Sequence, residues 1–261
     1  MLHINLRGWV SHNAELLARI KLLGYKPDLI CINETFLHKA VQHIKLEGYT
    51  VVHRLDRRAS KGGGGILVLA ATEVANSVAL LEEGSGTDER MWIQVHTSQG
   101  PHVLCCWYRP PDESNSEEFS RIEAELQRIR VGVMGVLIMG DVNVHNTRWL
   151  KHSSHTSPAG RRFETIAGVN GLTQHVKEAT RGEHLLDVVM SDIKSLRASV
   201  AARIADHSLV MASLALHVPE EAAITREVWC CDQADWEGLR EALTAQDWGT
   251  IDNSSAEEGA Q

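Results

Sequence analysis

Val136-Leu137-Ile138-Met139-Gly140-Asp141-Val142-Asn143 is the stretch on which the reading of this chain turns. Val136–Met139 is apolar throughout and too short for a helix, as expected of a strand buried on both faces. It runs out into a glycine, a carboxylate and a carboxamide. Polar groups placed where a strand opens into a loop are held by the scaffold and still exposed to a ligand.

The same pattern recurs outward in both directions. Leu29–Ile32, Ile66–Ala70, Val103–Trp107, Leu185–Met190 and Leu209–Leu216 read as buried strands, and Met91–His96 alternates like a half-buried one. Asn13 is expected to cap a helix that runs to about Leu23, with Leu16, Leu17, Ile20 and Leu23 on one face and Gly24 ending it. Ser114 and Glu117 have capping-box spacing ahead of Phe119, Ile122, Leu126 and Ile129, which fall at helical spacing. Buried strands with few helices between them predict an α/β (α+β) sandwich, two packed sheets flanked by helices.

The 261 residues, 43% hydrophobic and 23% charged, suffice for one large domain or one domain with an appendage. No apolar run is long enough to cross a bilayer, and Met1–Trp9 carries no signal-peptide pattern, so neither a membrane partner nor secretion is expected. Five cysteines, two pairs of them adjacent and none in C-x-x-C, fit a reducing, intracellular compartment. The formal net charge of −8 argues against a polyanionic partner when taken over the whole chain. Residues 220–261, however, hold 11 acids and two bases, which leaves 24 Lys+Arg and 23 Asp+Glu, a net of +1, in residues 1–219. The objection to nucleic acid therefore belongs to the acidic, Trp-containing segment 220–261 (Trp229, Trp236, Trp248), a connector or truncated C-terminal piece. Within it, Asp235–Ala245 is expected to be helical, with Leu239 and Leu243 on one face.

Five strand-like runs exit into acids, amides or imidazoles: Asn5, Asn33-Glu34, Asp141 with Asn143, Asp187, and Asp206-His207. This set suits hydrolysis of a phosphate ester. Glu34 offers hard oxygen ligation to Mg²⁺, a second carboxylate can orient and deprotonate water, and an Asp–His pair can hold an imidazole against the phosphoryl oxygen. Zinc would call for closely spaced His or Cys, and His43, His53, His152 and His155 form no H-E-x-x-H.

Ile32-Asn33-Glu34-Thr35, Trp107-Tyr108-Arg109-Pro110-Pro111, Met139-Gly140-Asp141-Val142-Asn143, Leu186-Asp187-Val188-Val189 and Asp206-His207-Ser208 are similar, in order and rough spacing, to the motifs of the endonuclease/exonuclease/phosphatase superfamily. Within it, the chain most resembles the apurinic-endonuclease-like domains of non-LTR (LINE-type) retrotransposon polyproteins. Gly62–Gly65 ahead of a strand, Tyr-Arg-Pro-Pro, and Gly-Asp-x-Asn followed by His145 and Trp149 carry that narrower likeness, which covers roughly residues 2–218. No reverse-transcriptase Tyr-x-Asp-Asp is present; in such polyproteins that domain would be a partner elsewhere in a longer chain.

The resemblance implies two mixed sheets flanked by helices, as in DNase I-like folds, and a domain spanning 1–219. It implies Mg²⁺ (or Mn²⁺) held by Glu34, with Asn5 and Asp206 at the metal or its waters. Asp141 would activate the attacking water, Asn143 would position it or the phosphate, and Tyr108 would hydrogen-bond the scissile phosphate. His207 would contact the phosphoryl oxygen, with Asp187 fixing its tautomer and favouring the protonated ring. The implied activity is nicking of DNA to a 3′-hydroxyl and a 5′-phosphate, in the nucleus if the retrotransposon likeness holds. The same machinery serves lipid and inositol phosphatases in the superfamily, and a catalytically silent nucleic-acid-binding fragment is a third reading. Two positions depart from the pattern: Ala205 stands where Ser or Gly is frequent, and Val142 replaces an aromatic. Arg54, Arg57, Arg58 and Lys61 form the densest basic cluster, read either as a solvated turn or as a contact to the DNA backbone. No feature of the chain sets an oligomeric state.

Overall fold

Each apolar run becomes a strand because its side chains, pointing alternately to opposite faces, find a core on both sides. In the computed structural model, which describes residues 1–57, 63–84, 88–111, 117–218 and 234–246, the chain divides into two units, Met1–Pro219 and Glu220–Gln261. The first unit holds β1 (Leu2–Asn5), α1 (Trp9–Leu22), β2 (Leu29–Asn33), β3 (Tyr49–Leu55), β4 (Ile66–Ala71), β5 (Val78–Glu83), β6 (Glu89–Thr97) and β7 (Gly100–Tyr108). There follow α2 (Glu117–Ile129), β8 (Gly135–Asp141), α3 (Pro158–Val169), β9 (Thr173–Gln174), β10 (Asp187–Ser191), β11 (Arg197–Ile204) and β12 (His207–Ser213). The strands form two six-stranded mixed sheets, ordered β11-β12-β1-β2-β4-β3 and β5-β6-β7-β8-β10-β9. Only β1–β2 and β7–β8 are parallel pairs among the named strands.

Strand β2 shows why the runs lack polar alternation. Leu29 and Cys31 join the core between the sheets, whereas Ile30 and Ile32 face the opposite way and pack with Leu16 and Ile20 of α1. On the far side of the second sheet, Trp107 meets Phe119 of α2 and Phe163 of α3 edge-on, at 5.7 and 5.4 Å between ring centroids. Cys31, Cys105 and Cys106 are buried free thiols in these strands.

Two local expectations need correction. Helix α1 begins at Trp9, four residues before Asn13, whose amide instead donates to the Trp9 carbonyl at 2.8 Å. No side-chain cap is needed there: the loop after β2 accepts the N–H groups of Gly8 and Trp9 through the carbonyls of Glu34 and Thr35, 2.8 Å each. The second correction concerns Met91–His96, read as half-buried: β6 is buried from Glu89 to Ile93 because α2 covers its outer face. Helix α3, capped by Ser157, was not foreseen as an element, and Ser114 lies outside the described residues.

The buried face of α2 also carries charge. Glu118 and Glu125 are buried beside Phe119, Ile122 and Leu126 because Arg90 reaches under the helix. Its guanidinium is bidentate to Glu125 (2.7 Å twice) and 3.0 Å from Asp88, while the Trp92 and Trp107 indoles donate to Glu125 and Glu118. In the second unit, α4 (Trp236–Ala245) is capped by Asp235 and leaves Trp236, Leu239 and Leu243 exposed. Replacing Arg90 with Met would strand buried carboxylates, so equilibrium urea unfolding should show a loss of about 3–5 kcal/mol.

Candidate active site

Sheet topology brings the polar strand ends to one edge. β1 and β2 run parallel with Asn5 beside Asn33, and β7 and β8 run parallel and finish at Tyr108 and Asp141. β10 is antiparallel to β8 with Asp187 directly opposite Asp141, so it starts where β8 ends. β12 is antiparallel to β1 and starts at His207, after a tight turn through Ala205 and Asp206. Asp187 is thus the first residue of a strand; the run Leu185–Met190 placed it at the exit of Leu185-Leu186.

Hydrogen bonds then cross between the sheets. Asn5 Nδ2 donates to Glu34 Oε1 at 2.7 Å and to Asp141 Oδ2 at 2.8 Å. The Asp141 backbone N–H donates to Asn33 Oδ1 at 2.9 Å. His207 Nδ1 lies 2.8 Å from Asp187 Oδ2, and its Nε2 lies 3.7 Å from Asp141 Oδ2. Tyr108 lies beside Glu34, whose charge acts on its phenol, and has the Arg57 guanidinium 5.5 Å above its ring. Asn143 donates its backbone N–H to Asp141 Oδ1 (3.3 Å) and its amide to the Arg109 carbonyl (2.8 Å).

The electrostatics follow from burial and neighbours. Burial, and then the Asp187 charge, push the Asp141 carboxyl up to about 7 against the pull of His207 and Asn5. Burial also works against ionised Asp187, but His207 and then His3 hold it well below the usual carboxylate range. Burial opposes a charged His207, yet Asp187, with Asp141 and Asp206 behind it, pushes the ring up to about 9. Burial and the charges of Glu34 and Asp141 push the Tyr108 phenol up, so it stays a donor.

Backbone strain gathers at the same edge. Arg7, Glu34, Asn143 and Ala205 all take positive φ, at 50°, 50°, 44° and 53°. For Ala205 this gives a reason for a glycine at that turn, since only glycine occupies the left-handed region without a Cβ penalty. Gly140 is required absolutely: a Cβ there would stand 1.8 Å from the Trp107 carbonyl oxygen.

These residues fit a divalent cation. Glu34 and Asp206 offer carboxylate oxygens, and Asp206 Oδ1 is buried with no hydrogen-bond partner. Arg7 spans the two acids, 2.9 Å from Asp206 and 4.0 Å from Glu34, a positive charge where the local field calls for one. Asp141, Asp187 and His207 also present ligand atoms within 4.8 Å of one another. There the short His207–Asp187 hydrogen bond already uses two of the three groups, so the Glu34 side suits an oxygen-loving ion better.

All the sequence-derived site residues (Asn5, Glu34, Tyr108, Asp141, Asn143, Asp187, Asp206 and His207) lie in this neighbourhood. Sequence reading missed His3, Arg7 and Thr180. His3 is fully buried, with Nε2 at 2.9 Å from Asp187 Oδ1 and Nδ1 at 3.2 Å from the Cys31 carbonyl. Strand alternation was the available signal, since residues two apart on β1 share a face. Thr180 Oγ1 accepts the N–H groups of Leu186 and Asp187. In the basic cluster, Arg54 is bound to Asp56 and to the His38 and Val41 carbonyls, and Arg57 to Glu89, so neither is a freely solvated charge. Arg58, Lys61 and Gly62 lie outside the described residues. Trp149, which follows the Gly-Asp-x-Asn motif, packs edge-on against Phe163, at 5.6 Å between ring centroids.

A family model described as "Endonuclease/Exonuclease/phosphatase family" matches residues 2–219. No curated protein matches the chain by sequence. Among solved structures, the endonuclease domain of TRAS1, a telomere-specific non-LTR retrotransposon, superposes with a TM-score of 0.61 at 16% identity, covering 80% of this chain and 94% of that one. The catalytic domain of Xenopus laevis APE2 gives 0.63 at 14%, covering 84% and 93%. A 3′-5′ exonuclease from Neisseria meningitidis gives 0.58 at 14%, covering 81% and 98%.

In EDTA, the His207 ring followed by NMR should titrate near 9, and Asp187→Asn should move it down toward 6.5. Because the folded ring keeps its proton to about 9 and an unfolded one loses it near 6.5, this pairing stabilises fully below pH 6.5 and is lost as pH rises through 9. His3→Met leaves an Asp187 oxygen unmet and should cost about 1–3 kcal/mol in thermal or urea unfolding.

Proposed function

The chain belongs to the endonuclease/exonuclease/phosphatase family, and from that premise we propose that it is a Mg²⁺-dependent endonuclease that nicks DNA, leaving a 3′-hydroxyl and a 5′-phosphate. The observation that carries this reading is the single buried edge where Asn5 joins Glu34 to Asp141 and Asp187 stands between His207 and His3.

The roles follow from charge and donor state. Asp141, with its carboxyl near 7, is a base matched to neutral pH and takes the proton of the attacking water. Asn143, fixed by its bonds to Asp141 and Arg109, positions that water or the phosphate. His207 carries a positive ring because Asp187 pays for it electrostatically, and it donates from Nε2 to a phosphoryl oxygen as charge grows there. Tyr108, kept protonated, donates to the same phosphate. Glu34, Asn5 and Asp206 would hold Mg²⁺ (Mn²⁺ being the alternative ion), which when bound supplies Lewis-acid stabilisation of the phosphate and the leaving oxygen. The new P–O bond forms from water, whose proton passes to Asp141, as the P–O3′ bond breaks, and the departing O3′ takes a proton from solvent to end as a hydroxyl.

The Tyr108-Arg109-Pro110-Pro111 string and Gly140-Asp141-Val142-Asn143 followed by His145 and Trp149, the motifs that resemble the retrotransposon subgroup, support placing this activity at target-site nicking, with a reverse transcriptase domain in a longer polyprotein as partner and the nucleus as its place. The acidic residues 220–261 would then be a connector. No helix among the described residues is long and apolar enough to cross a membrane.

Relaxation of supercoiled plasmid in Mg²⁺ tests the reading. Wild-type protein should nick, and Asp141→Ala and Glu34→Ala should each lose about 10²–10⁴-fold in rate. Turnover of a soluble inositol phosphate without plasmid nicking would favour the phosphatase reading. Salt-sensitive DNA binding with no turnover in Mg²⁺ or Mn²⁺ would mark a silent binding domain.

A further inference from the structure

Beside the catalytic edge, and sharing Asp206 with it, opens a cleft of about 520 Å³ that the roles above do not use. His145, His155 and His184 line it together with Arg181 and Arg203. The imidazoles form a ring cluster: His145 lies 4.5 Å from His155, tilted 32°, and meets His184 edge-on at 5.7 Å.

Both walls are built. On one side, Ser157, the cap of α3, donates its backbone N–H to the His145 carbonyl and accepts the His145 N–H on its Oγ, and α3 comes so close that a Cβ at Gly160 would stand 2.0 Å from the His145 carbonyl oxygen. On the other, Thr180 and Arg181 both donate to the His184 carbonyl and close a tight hairpin. Thr180 Oγ1 ties that hairpin to the N–H of Asp187, and the Thr180 carbonyl accepts from Ser208. Arg203 is placed by sheet register, opposite Ser208 on the β11–β12 hairpin that carries Asp206 and His207.

The chemistry of the lining selects its ligand. The sole acid is Asp206, already paired with Arg7 and with Arg181 at 2.9 Å each. Arg181 has further N–H donors beyond that pair, and Arg203 has no acidic partner among the described residues. His184 Nδ1 faces the His152 carbonyl, which makes it the donor there. A chelated metal does not suit the three imidazoles, because among the described residues the one group with converging ligand atoms is Asp141, Asp187 and His207. The bond to the His152 carbonyl spends the one N–H of a neutral His184 ring, so the donors left to the cleft are the Arg181 and Arg203 guanidiniums with the His145 and His155 rings beside them, the complement of a phosphate.

We propose that this cleft is an anion subsite that takes a neighbouring phosphate of the nucleic-acid strand being cut, so that the enzyme selects substrates with at least two linked phosphates. This rests on the nuclease reading for the identity of the strand. It accounts for cations gathered next to a catalytic edge that is itself rich in acids.

The test is DNA binding without turnover. Fluorescence anisotropy of a labelled duplex with the full chain in EDTA, over a range of KCl, reads both affinity and salt dependence. Arg203→Gln should lower the slope of log K against log salt by about 0.9 and weaken binding by about tenfold at about 100 mM KCl. His155→Gln should weaken binding in the same direction. Arg19→Gln, on the solvent face of α1 and paired with Glu15, should match wild type. Equal slopes for Arg203→Gln and wild type, or no wild-type binding to duplex, would overturn the subsite. Arg203-dependent binding of inorganic phosphate with none of duplex would also overturn the assignment to a strand. Plasmid nicking that survives with an unchanged Arg203→Gln slope leaves the nuclease reading standing and removes this inference alone. A changed slope without any nicking removes the nuclease reading and, with it, the assignment to a strand being cut, and leaves only a cleft that binds a DNA phosphate.

Discussion

Two carboxylates, Asp141 and Asp187, face each other across adjacent strands at zero solvent exposure, and everything at the catalytic edge answers to that arrangement. Two buried like charges at this separation are untenable unless each is protonated or matched. Asp187 is matched from both sides, by His207 on one oxygen and His3 on the other. Asp141 receives the Asn5 amide, the Asn143 N–H at 3.3 Å and only the edge of His207, and its carboxyl is left titrating near neutrality. One acid is fully committed and the other is kept available. Separating the affinities of paired groups in this way is how one site can hold an acid and a base at the same pH.

The same constraint explains the join between the two sheets. Their apolar faces could slide past one another, since burial of apolar area has no direction. The Asn5–Asp141, Asn33–Asp141 and His3–Asp187 hydrogen bonds have direction, and each spans from the first sheet to the second. They set the two sheets at one relative position, at the edge where four left-handed non-glycine residues store strain. Arg7, bridging Glu34 and Asp206, and the cations of the neighbouring cleft then offset acids that the strand ends concentrate.

Much of this was legible in the residues. The continuous apolar runs gave the buried strands because both faces of each sheet are covered, and the polar residues at their ends gave the candidate site. What escaped was set by other elements. Asn13 is an ordinary cap in sequence, but the loop after β2 supplies the acceptors first, and the helix starts earlier. Glu118 and Glu125 look like solvent residues on α2 and are buried because Arg90 arrives from another strand. Arg54 and Arg57 look free and are bound to groups brought by the fold. His3 looks like an odd residue in an apolar strand until Asp187, 184 residues away, is placed beside it.

The sequence by itself determined the buried apolar strands, the polar residues gathered at their ends, and that residues 1–219 are not acidic once the tail is set apart. Those properties are local: periodicity, composition and the identity of the residue at a strand end. Only the tertiary structure decided which carboxylate is paired and which is poised, which histidine serves Asp187 as well as His207, and where cations collect beside the cleft. Those are properties of distance and burial between groups far apart in the chain, and no periodicity in the sequence encodes them.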